Sequence, residues 1–170
     1  MDPQTRLLIS GSRKATPAML TYARRTVALA KEKGWAIIVG DADGVDAAVI
    51  DACDDLGVPV EVHGAKGEMR RQSKTGTNIP HDVGYLARDE IMAGLCTACL
   101  AIWNGRSRGT HYTLIAASAL GKQCWLIDFL KPEGQRTTTF NAVSAETGRP
   151  SGPPDTLNSG EGGPVDPDAN

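Results

Sequence analysis

The sequence has little of what marks a membrane protein, a secreted protein or a strong binder of duplex DNA. No apolar run approaches the roughly 20 residues that span a bilayer, and the first residues lead into a strand-like run instead of a signal peptide. The formal net charge is only -2, whereas a duplex-binding domain usually carries a basic face. We therefore expect a cytoplasmic protein that makes no membrane contact.

Cysteine is scarce. The four cysteines, Cys53, Cys96, Cys99 and Cys124, all lie within apolar patterns, where a buried thiol is an ordinary core residue. Cys96 and Cys99 have the CxxC spacing, but no second CxxC or histidine pair completes a zinc site. The pattern predicts core-filling thiols.

The 170 residues are enough for one sizeable core and too few for two ordinary domains. From residue 144 onward the chain contains five glycines, five prolines, five acidic residues and a single arginine. Such a segment buries too little apolar surface to offset its chain entropy. We predict one domain over residues 1–143, followed by a disordered acidic tail over residues 144–170.

Within this domain, apolar runs typical of strands alternate with helical periodicities. Strands are predicted over residues 7–9, 35–39, 58–62, 99–103 and 123–127. Helices are predicted over residues 17–33, 44–56, 85–94 and 110–120. The alternation predicts an α/β fold: a three-layer, Rossmann-like sandwich with a mainly parallel sheet of about five or more strands.

Capping and turn residues predict where these helices and strands begin and end. Thr16 followed by Pro17 predicts a helix start, and Gly34 and Gly57 predict helix ends. Pro59 suggests that the third strand is early in the sheet or at its edge. Residues 64–83 form the longest irregular segment, which predicts a functional or mobile loop rich in basic side chains.

Three loops of small residues each follow a predicted strand and precede a predicted helix: residues 10–13, 40–46 and 104–110. In α/β proteins such loops bring backbone N–H groups and the positive end of a helix dipole towards an anion. Because the carboxyl ends of parallel strands lie at one edge of the sheet, the three loops predict one composite phosphate site.

The first loop offers close backbone approach at Gly11 and Ser12. Its Arg13 is able to make a forked contact with a phosphate or a carboxylate. A tight turn with a solvated arginine is the alternative interpretation.

The second loop carries three carboxylates, Asp41, Asp43 and Asp46, together with Gly40 and Gly44. Asp43 is placed to cap the following helix. Alternatively, the three carboxylates accept ribose hydroxyls or hold Mg²⁺, the one cofactor that this sequence suggests.

In the third loop, Ser107, Gly109 and Thr110 present hydroxyl and N–H groups at a helix start, and Arg106 and Arg108 add positive charge. This combination suits a phosphate better than any other ligand. An exposed basic turn capped by Ser107 or Thr110 is the alternative.

With these loops in view, the chain resembles the SLOG superfamily of Rossmann-like proteins, most closely its small YspA/YpsA-like branch. The resemblance extends over about residues 7–127 and rests on four motifs: residues 11–13, residues 40–46, Arg88 with Met92, and residues 103–110. It implies a nucleotide-derived ligand held by Gly11, Ser12, Arg13, Gly40, Asp41, Asp43, Gly44, Asp46, Arg88, Ser107, Gly109 and Thr110.

The resemblance leaves three functions open. The first is a sensor or carrier that binds a nucleotide or an ADP-ribose-like molecule. The second is an enzyme, a nucleotide phosphoribohydrolase or N-glycosidase; Thr113 stands where those hydrolases have a glutamate, so Asp41 and Asp46 are the candidate catalytic carboxylates. The third is single-stranded DNA binding, because residues 39–46 are similar to a signature of DNA-processing protein A. A homo-oligomer is expected by analogy with related proteins.

Overall fold

The computed structural model describes residues 4–140. In this range the chain forms seven strands and four helices, in the order β1 (Arg6–Gly11), α1 (Pro17–Lys33), β2 (Ala36–Gly40), α2 (Val45–Leu56), β3 (Val60–Gly64), β4 (Thr77–Pro80), α3 (Tyr85–Leu95), β5 (Ala98–Trp103), α4 (Arg108–Ala119), β6 (Gln123–Asp128) and β7 (Thr137–Phe140).

The strands form one sheet in the order β4-β3-β2-β1-β5-β6-β7. Strands β1 to β6 run parallel, and β7 pairs antiparallel with β6. The sheet therefore grows from β1 in one direction through β2, β3 and β4, and in the other through β5 and β6. The predicted Rossmann-like α/β fold is confirmed, and its topological switch point lies between β1 and β5.

Helices cover both faces of the sheet. On one face α1 and α2 pack together, and on the other α3 packs against α4. The central strands are consequently apolar on both sides, as expected for a parallel sheet enclosed between helices. Leu7, Ile9 and Val39 belong to the core under α1 and α2, and Leu8 and Ile38 to the core under α3 and α4.

The four cysteines are buried free thiols, in agreement with the sequence prediction. Cys53 lies in the first core cluster, and Cys96, Cys99 and Cys124 lie in the second. Burial raises the pKa of the Cys96 thiol to about 11 and that of Cys53 to about 12. Both thiols therefore remain protonated at neutral pH and serve as small apolar side chains.

The helix limits predicted from capping residues are largely confirmed. Thr16 is the N-cap of α1 and accepts a 3.3 Å hydrogen bond from the Met19 N–H. Gly34 and Gly57 end α1 and α2 in the left-handed conformation. Helix α4 begins at Arg108, two residues before the predicted start, because Ser107 is its N-cap.

Two strands were not predicted. Residues 64–83 contain β4, which pairs with β3, so β3 is an internal strand and the edge position inferred from Pro59 is wrong. Pro59 precedes β3, where its carbonyl accepts a hydrogen bond from the Ile37 N–H. Both β4 and β7 are four residues long and incompletely buried, so they lack the apolar signal of a central strand.

The predicted boundary between residues 143 and 144, and the tail that follows it, lie outside the described residues. Within residues 4–140, no helix combines the length and the hydropathy that a membrane crossing requires.

We predict that Gly44→Ala lowers the free energy of unfolding by about 1–3 kcal/mol. Gly44 has φ +75°, and a Cβ there would overlap the backbone carbonyls of Ser12 and Arg13. Urea denaturation measures the change. Gly94→Ala is the matched control, because Gly94 lies in α3 with open space around it and an alanine there favours the helix. Equal stability of the two variants would contradict the prediction.

Candidate functional site

Ser12 joins the three loops that the sequence predicted to meet. Its side chain is fully buried, and its hydroxyl accepts a 3.0 Å hydrogen bond from the Asn104 N–H. The Ser12 carbonyl accepts from the Val45 N–H at the start of α2, and the Ser12 N–H donates to the carbonyl of Ile102 on β5. The ends of β1, β2 and β5 are thus fixed relative to one another.

Glycine permits the close approach of the first two loops. A Cβ on Gly11 would overlap the Val45 side chain, and a Cβ on Gly44 would overlap the first loop's backbone. Gly40, the last residue of β2, has the Asp46 carboxylate and the Arg88 guanidinium directly beside it. A side chain at any of these glycines would separate the loops.

Asn104 shapes the third loop, although no role was predicted for it from the sequence. Its Oδ1 accepts from the N–H groups of Arg106 and Ser107 at 2.9 and 3.0 Å. Its Nδ2 donates to the Lys14 carbonyl at 3.0 Å, which ties the third loop to the first. The Asn-Gly pair at positions 104 and 105 is a turn signal that identifies such a residue.

Two backbone N–H groups at the start of α4 have no partner within the helix. The Ser107 side chain accepts from the Thr110 N–H at 3.4 Å and shares a 2.9 Å hydrogen bond with the Thr110 hydroxyl. The N–H groups of Arg108 and Gly109 are the first of the helix and have no partner within it. These two N–H groups, at the positive end of the helix dipole, suit an anion.

Three arginines follow β1 and β5, two in the loops and one at the first position of α4. Arg13, Arg106 and Arg108 are exposed, and within residues 4–140 none of them forms an ion pair. Positive charge therefore stands available at the switch point of the sheet.

The loop after β2 differs from the other two loops, because the Asp41 carboxylate is already hydrogen-bonded to arginines of the protein. Asp41 is 1% exposed. It accepts hydrogen bonds from the Arg70 N–H at 2.8 Å, from Arg70 Nη2 at 2.7 Å and from Arg88 Nη1 at 3.0 Å. Burial alone would raise the pKa of Asp41, but these bonds outweigh it and lower the pKa. Asp41 is consequently an ionised, internally satisfied group.

Asp43 does not have the capping role that its position predicted. Gly44 is the N-cap of α2, and no side chain caps this helix. Asp43 instead accepts two hydrogen bonds from Arg71, at 3.1 and 2.8 Å. The capping prediction failed because Arg71, 28 residues away in sequence, competes for the carboxylate.

Arg88 lies at the centre of a buried polar cluster. It donates to Asp41, to the His63 carbonyl at 2.6 Å and to Asp89 at 2.8 Å. Asp89 is 6% exposed, and burial raises its pKa although the Arg88 charge opposes the shift. Asp89 was missed in the sequence; its only signal is its position next to Arg88.

Thr113, which stands at the position where a phosphoribohydrolase was expected to have a glutamate, is buried on α4. Its hydroxyl bonds to the Gly109 carbonyl at 3.0 Å, and Asp89 also hydrogen-bonds with its side chain. The carboxyl group beside position 113 therefore comes from α3.

Asp46 is buried in the first turn of α2. Its Oδ2 accepts a 3.2 Å hydrogen bond from the Ala42 N–H. Burial raises its pKa from an ordinary 3.8 to about 7, and the charges of Asp89 and Asp41 add to the effect while that of Arg88 opposes it. Asp46 thus changes its protonation state near neutral pH.

The carboxylates do not form a site that fits Mg²⁺. Within residues 4–140, no three His, Cys, Asp or Glu side chains are arranged to hold a metal ion. The carboxylates of Asp41 and Asp43 face arginines instead. A cation at this position would have to displace these arginines from their partners.

We predict that Asp46→Asn stabilises the protein more at pH 8 than at pH 4.5. In the unfolded chain Asp46 ionises near pH 4, whereas the folded state holds the proton to about pH 7. The folded state therefore loses stability as pH rises between these values, on the order of a few kcal/mol in total. Asparagine still accepts the Ala42 hydrogen bond. Urea denaturation at both pH values measures the difference.

Asp51→Asn is the matched control, because Asp51 is an exposed carboxylate on the same helix. It should change stability little at either pH. A stabilisation by Asp46→Asn of the same size at pH 4.5 and pH 8 would contradict the prediction.

Comparison with known proteins places the fold. No family model matches the sequence, and no curated protein gives a significant match. Solved structures do match. The molybdenum cofactor binding protein of the phototrophic bacterium Rippkaea orientalis has 18% identity and a TM-score of 0.64, over 72% of this chain and 75% of that one. The molybdenum cofactor carrier protein of Chlamydomonas reinhardtii has 19% identity and a TM-score of 0.62, over 72% and 75%.

A third similar structure is DNA processing protein A of Streptococcus pneumoniae, with 17% identity and a TM-score of 0.59. The match covers 71% of this chain and 49% of that protein. All three neighbours have SLOG-type folds. At these identities the likeness shows the fold alone, and this fold is the Rossmann-like α/β type that the sequence predicted.

Proposed function

We propose that this protein binds a small, phosphate-bearing nucleotide-type ligand, such as an ADP-ribose-like molecule, at the switch point between β1 and β5. The observation that carries the proposal is the distribution of charge among the three loops. Within residues 4–140, the arginines that follow β1 and β5 form no ion pair, whereas two carboxylates of the loop after β2 are paired with arginines.

The phosphate is held at the start of α4. Its donors are the N–H groups of Arg108 and Gly109 and the guanidinium of Arg13 from the facing loop. The hydroxyls of Ser107 and Thr110 are hydrogen-bonded to each other, so one of the two has its proton left for the phosphate. The loop geometry is already fixed by the Ser12 and Asn104 hydrogen bonds. Because little ordering remains to be done on binding, a small ligand is held at low entropic cost.

The positions of the carboxylates favour binding over turnover. Asp41 and Asp46, the candidate catalytic residues, are 1% and 6% exposed. Asp41 is engaged by two arginines. A hydrolase needs a carboxylate within hydrogen-bond reach of its substrate, and Asp41 would reach one only after Arg70 moved.

The structural neighbours are compatible with this reading. Two of them are described by the molybdenum cofactor that they bind or carry. The DNA processing protein A of Helicobacter pylori, which matches at 16% identity and a TM-score of 0.54, is described by its binding of single-stranded DNA. The fold thus accommodates both small and polymeric ligands, and the charge distribution in this chain favours the small one.

We predict that Arg13→Ala weakens ADP-ribose binding about tenfold, because it removes one charge-assisted contact to phosphate worth about 1.5 kcal/mol. Isothermal titration calorimetry with ADP-ribose and with adenosine measures the effect. Adenosine has no phosphate, so it should bind weakly to both proteins and its affinity should not change.

Arg24→Ala is the control, because it removes the same charge from the exposed surface of α1, which contributes no residue to the three loops. An equal loss of ADP-ribose affinity in both variants would point to a general charge effect. Wild-type protein that does not distinguish ADP-ribose from adenosine would overturn the proposed function.

A further inference from the structure

The cleft is the space beyond the carboxyl ends of β2, β1, β5 and β6, where the proposed ligand binds. We propose that residues 65–76, the segment between β3 and β4, form a fixed wall on one side of this cleft. Through its contacts, Arg70 limits the cleft to short ligands. The inference rests on the proposed function, since it specifies the length of ligand that the same site admits. Its support is that three separate anchors hold this segment against the rest of the domain.

The first anchor is Arg70. Its backbone N–H, Nε and Nη2 all donate to the Asp41 carboxylate, at 2.8, 3.1 and 2.7 Å. Its guanidinium also lies over the ring of Tyr85, 4.4 Å from the ring centre. Asp41 follows β2 directly, so this contact carries the segment across the end of β3 to the end of β2. A charged group as buried as Asp41 does not readily give up such a partner.

The second anchor is the pair between Arg71 and Asp43, in which two guanidinium nitrogens share one carboxylate oxygen. Because this ion pair is exposed, it stabilises the position of the segment less than the Arg70–Asp41 pair does. It fixes the outer side of the segment to the loop after β2.

The third anchor is Asp54 on α2. Its carboxylate accepts hydrogen bonds from the Ser73 hydroxyl, from the Lys74 N–H at 2.9 Å and from the Thr75 hydroxyl at 2.9 Å. Its pKa is lowered, because these bonds outweigh the effect of desolvation. Asp54 thereby fastens the far end of the segment to the helix.

The other side of the cleft is bounded as well. In the turn between β6 and β7, the Phe129 N–H donates to the carbonyl of Trp103 at 3.0 Å, and Leu130 lies directly against Gly105. The space between the two boundaries extends from β2 to β6. It covers three inter-strand distances, or about 14 Å.

A space that is bounded at both ends suits a short ligand and does not suit a nucleic acid strand. A nucleic acid strand has to leave the cleft at both ends, and it gains affinity from basic side chains that are free to meet its phosphates. Here one end is blocked by Arg70 and Arg71, and both arginines are already paired with carboxylates. The wall thus distinguishes this chain from a protein that binds single-stranded DNA.

The test compares two double variants of equal net charge. Arg70→Ala with Asp54→Ala removes two anchors. Arg24→Ala with Asp55→Ala removes one charge of each sign from exposed positions on α1 and on the same helix as Asp54. Fluorescence anisotropy measures binding of a labelled oligo(dT) of about 20 nucleotides, calorimetry measures binding of ADP-ribose, and amide hydrogen exchange follows residues 66–75.

We expect the variant without anchors to bind oligo(dT) at least about tenfold more tightly than its matched control, with faster exchange in residues 66–75. Three outcomes would overturn the proposed wall. They are equal oligo(dT) affinity in the two double variants, unchanged hydrogen exchange in residues 66–75, and wild-type oligo(dT) binding as tight as that of the variant without anchors. If wild type fails to bind ADP-ribose, the proposed function fails, and the oligo(dT) comparison still decides the wall. Should Arg70→Ala prevent folding, Arg71→Ala replaces it, because the Asp41 pairing is then preserved.

Discussion

The structure depends on the pairing of one buried carboxylate, that of Asp41, with two arginines from distant parts of the chain. An ionised carboxylate at this depth is stable only if its oxygens are satisfied. Arg88 satisfies it from α3, and Arg70 satisfies it from the segment after β3. This one carboxylate therefore holds three parts of the structure in a fixed relation: the end of β2, the β3–β4 connection and α3.

This pairing also determines the electrostatic character of the cleft. Arg70 and Arg71 of the β3–β4 connection are paired with Asp41 and Asp43, whereas the arginines that follow β1 and β5 form no ion pair within residues 4–140. Unpaired positive charge is therefore present at the ends of β1 and β5. There it coincides with the start of α4 and with the switch point of the sheet. The proposed binding of an anion rests on this coincidence, and the loop glycines allow the backbones to approach.

The sequence predicted the central elements well because their signals are local. Apolar runs flanked by helical periods identified the five central strands and all four helices, and Thr16, Gly34 and Gly57 marked helix ends that the structure confirms. It missed β4 and β7, which are short and partly exposed strands whose pairing with neighbours defines them. The roles predicted for the site residues as ligand contacts stay predictions.

The sequence by itself determined the fold class and the meeting of three small-residue loops at one edge of the sheet, because both follow from the local alternation of strands and helices. Only the tertiary structure decided which charges remain available to a ligand. The partners of Asp41 and Asp43 come from 28 residues or more along the chain, and no local pattern encodes a pair at that separation. Among the described residues, 4–140, the arginines that follow β1 and β5 form no ion pair, so their charge is left to a ligand.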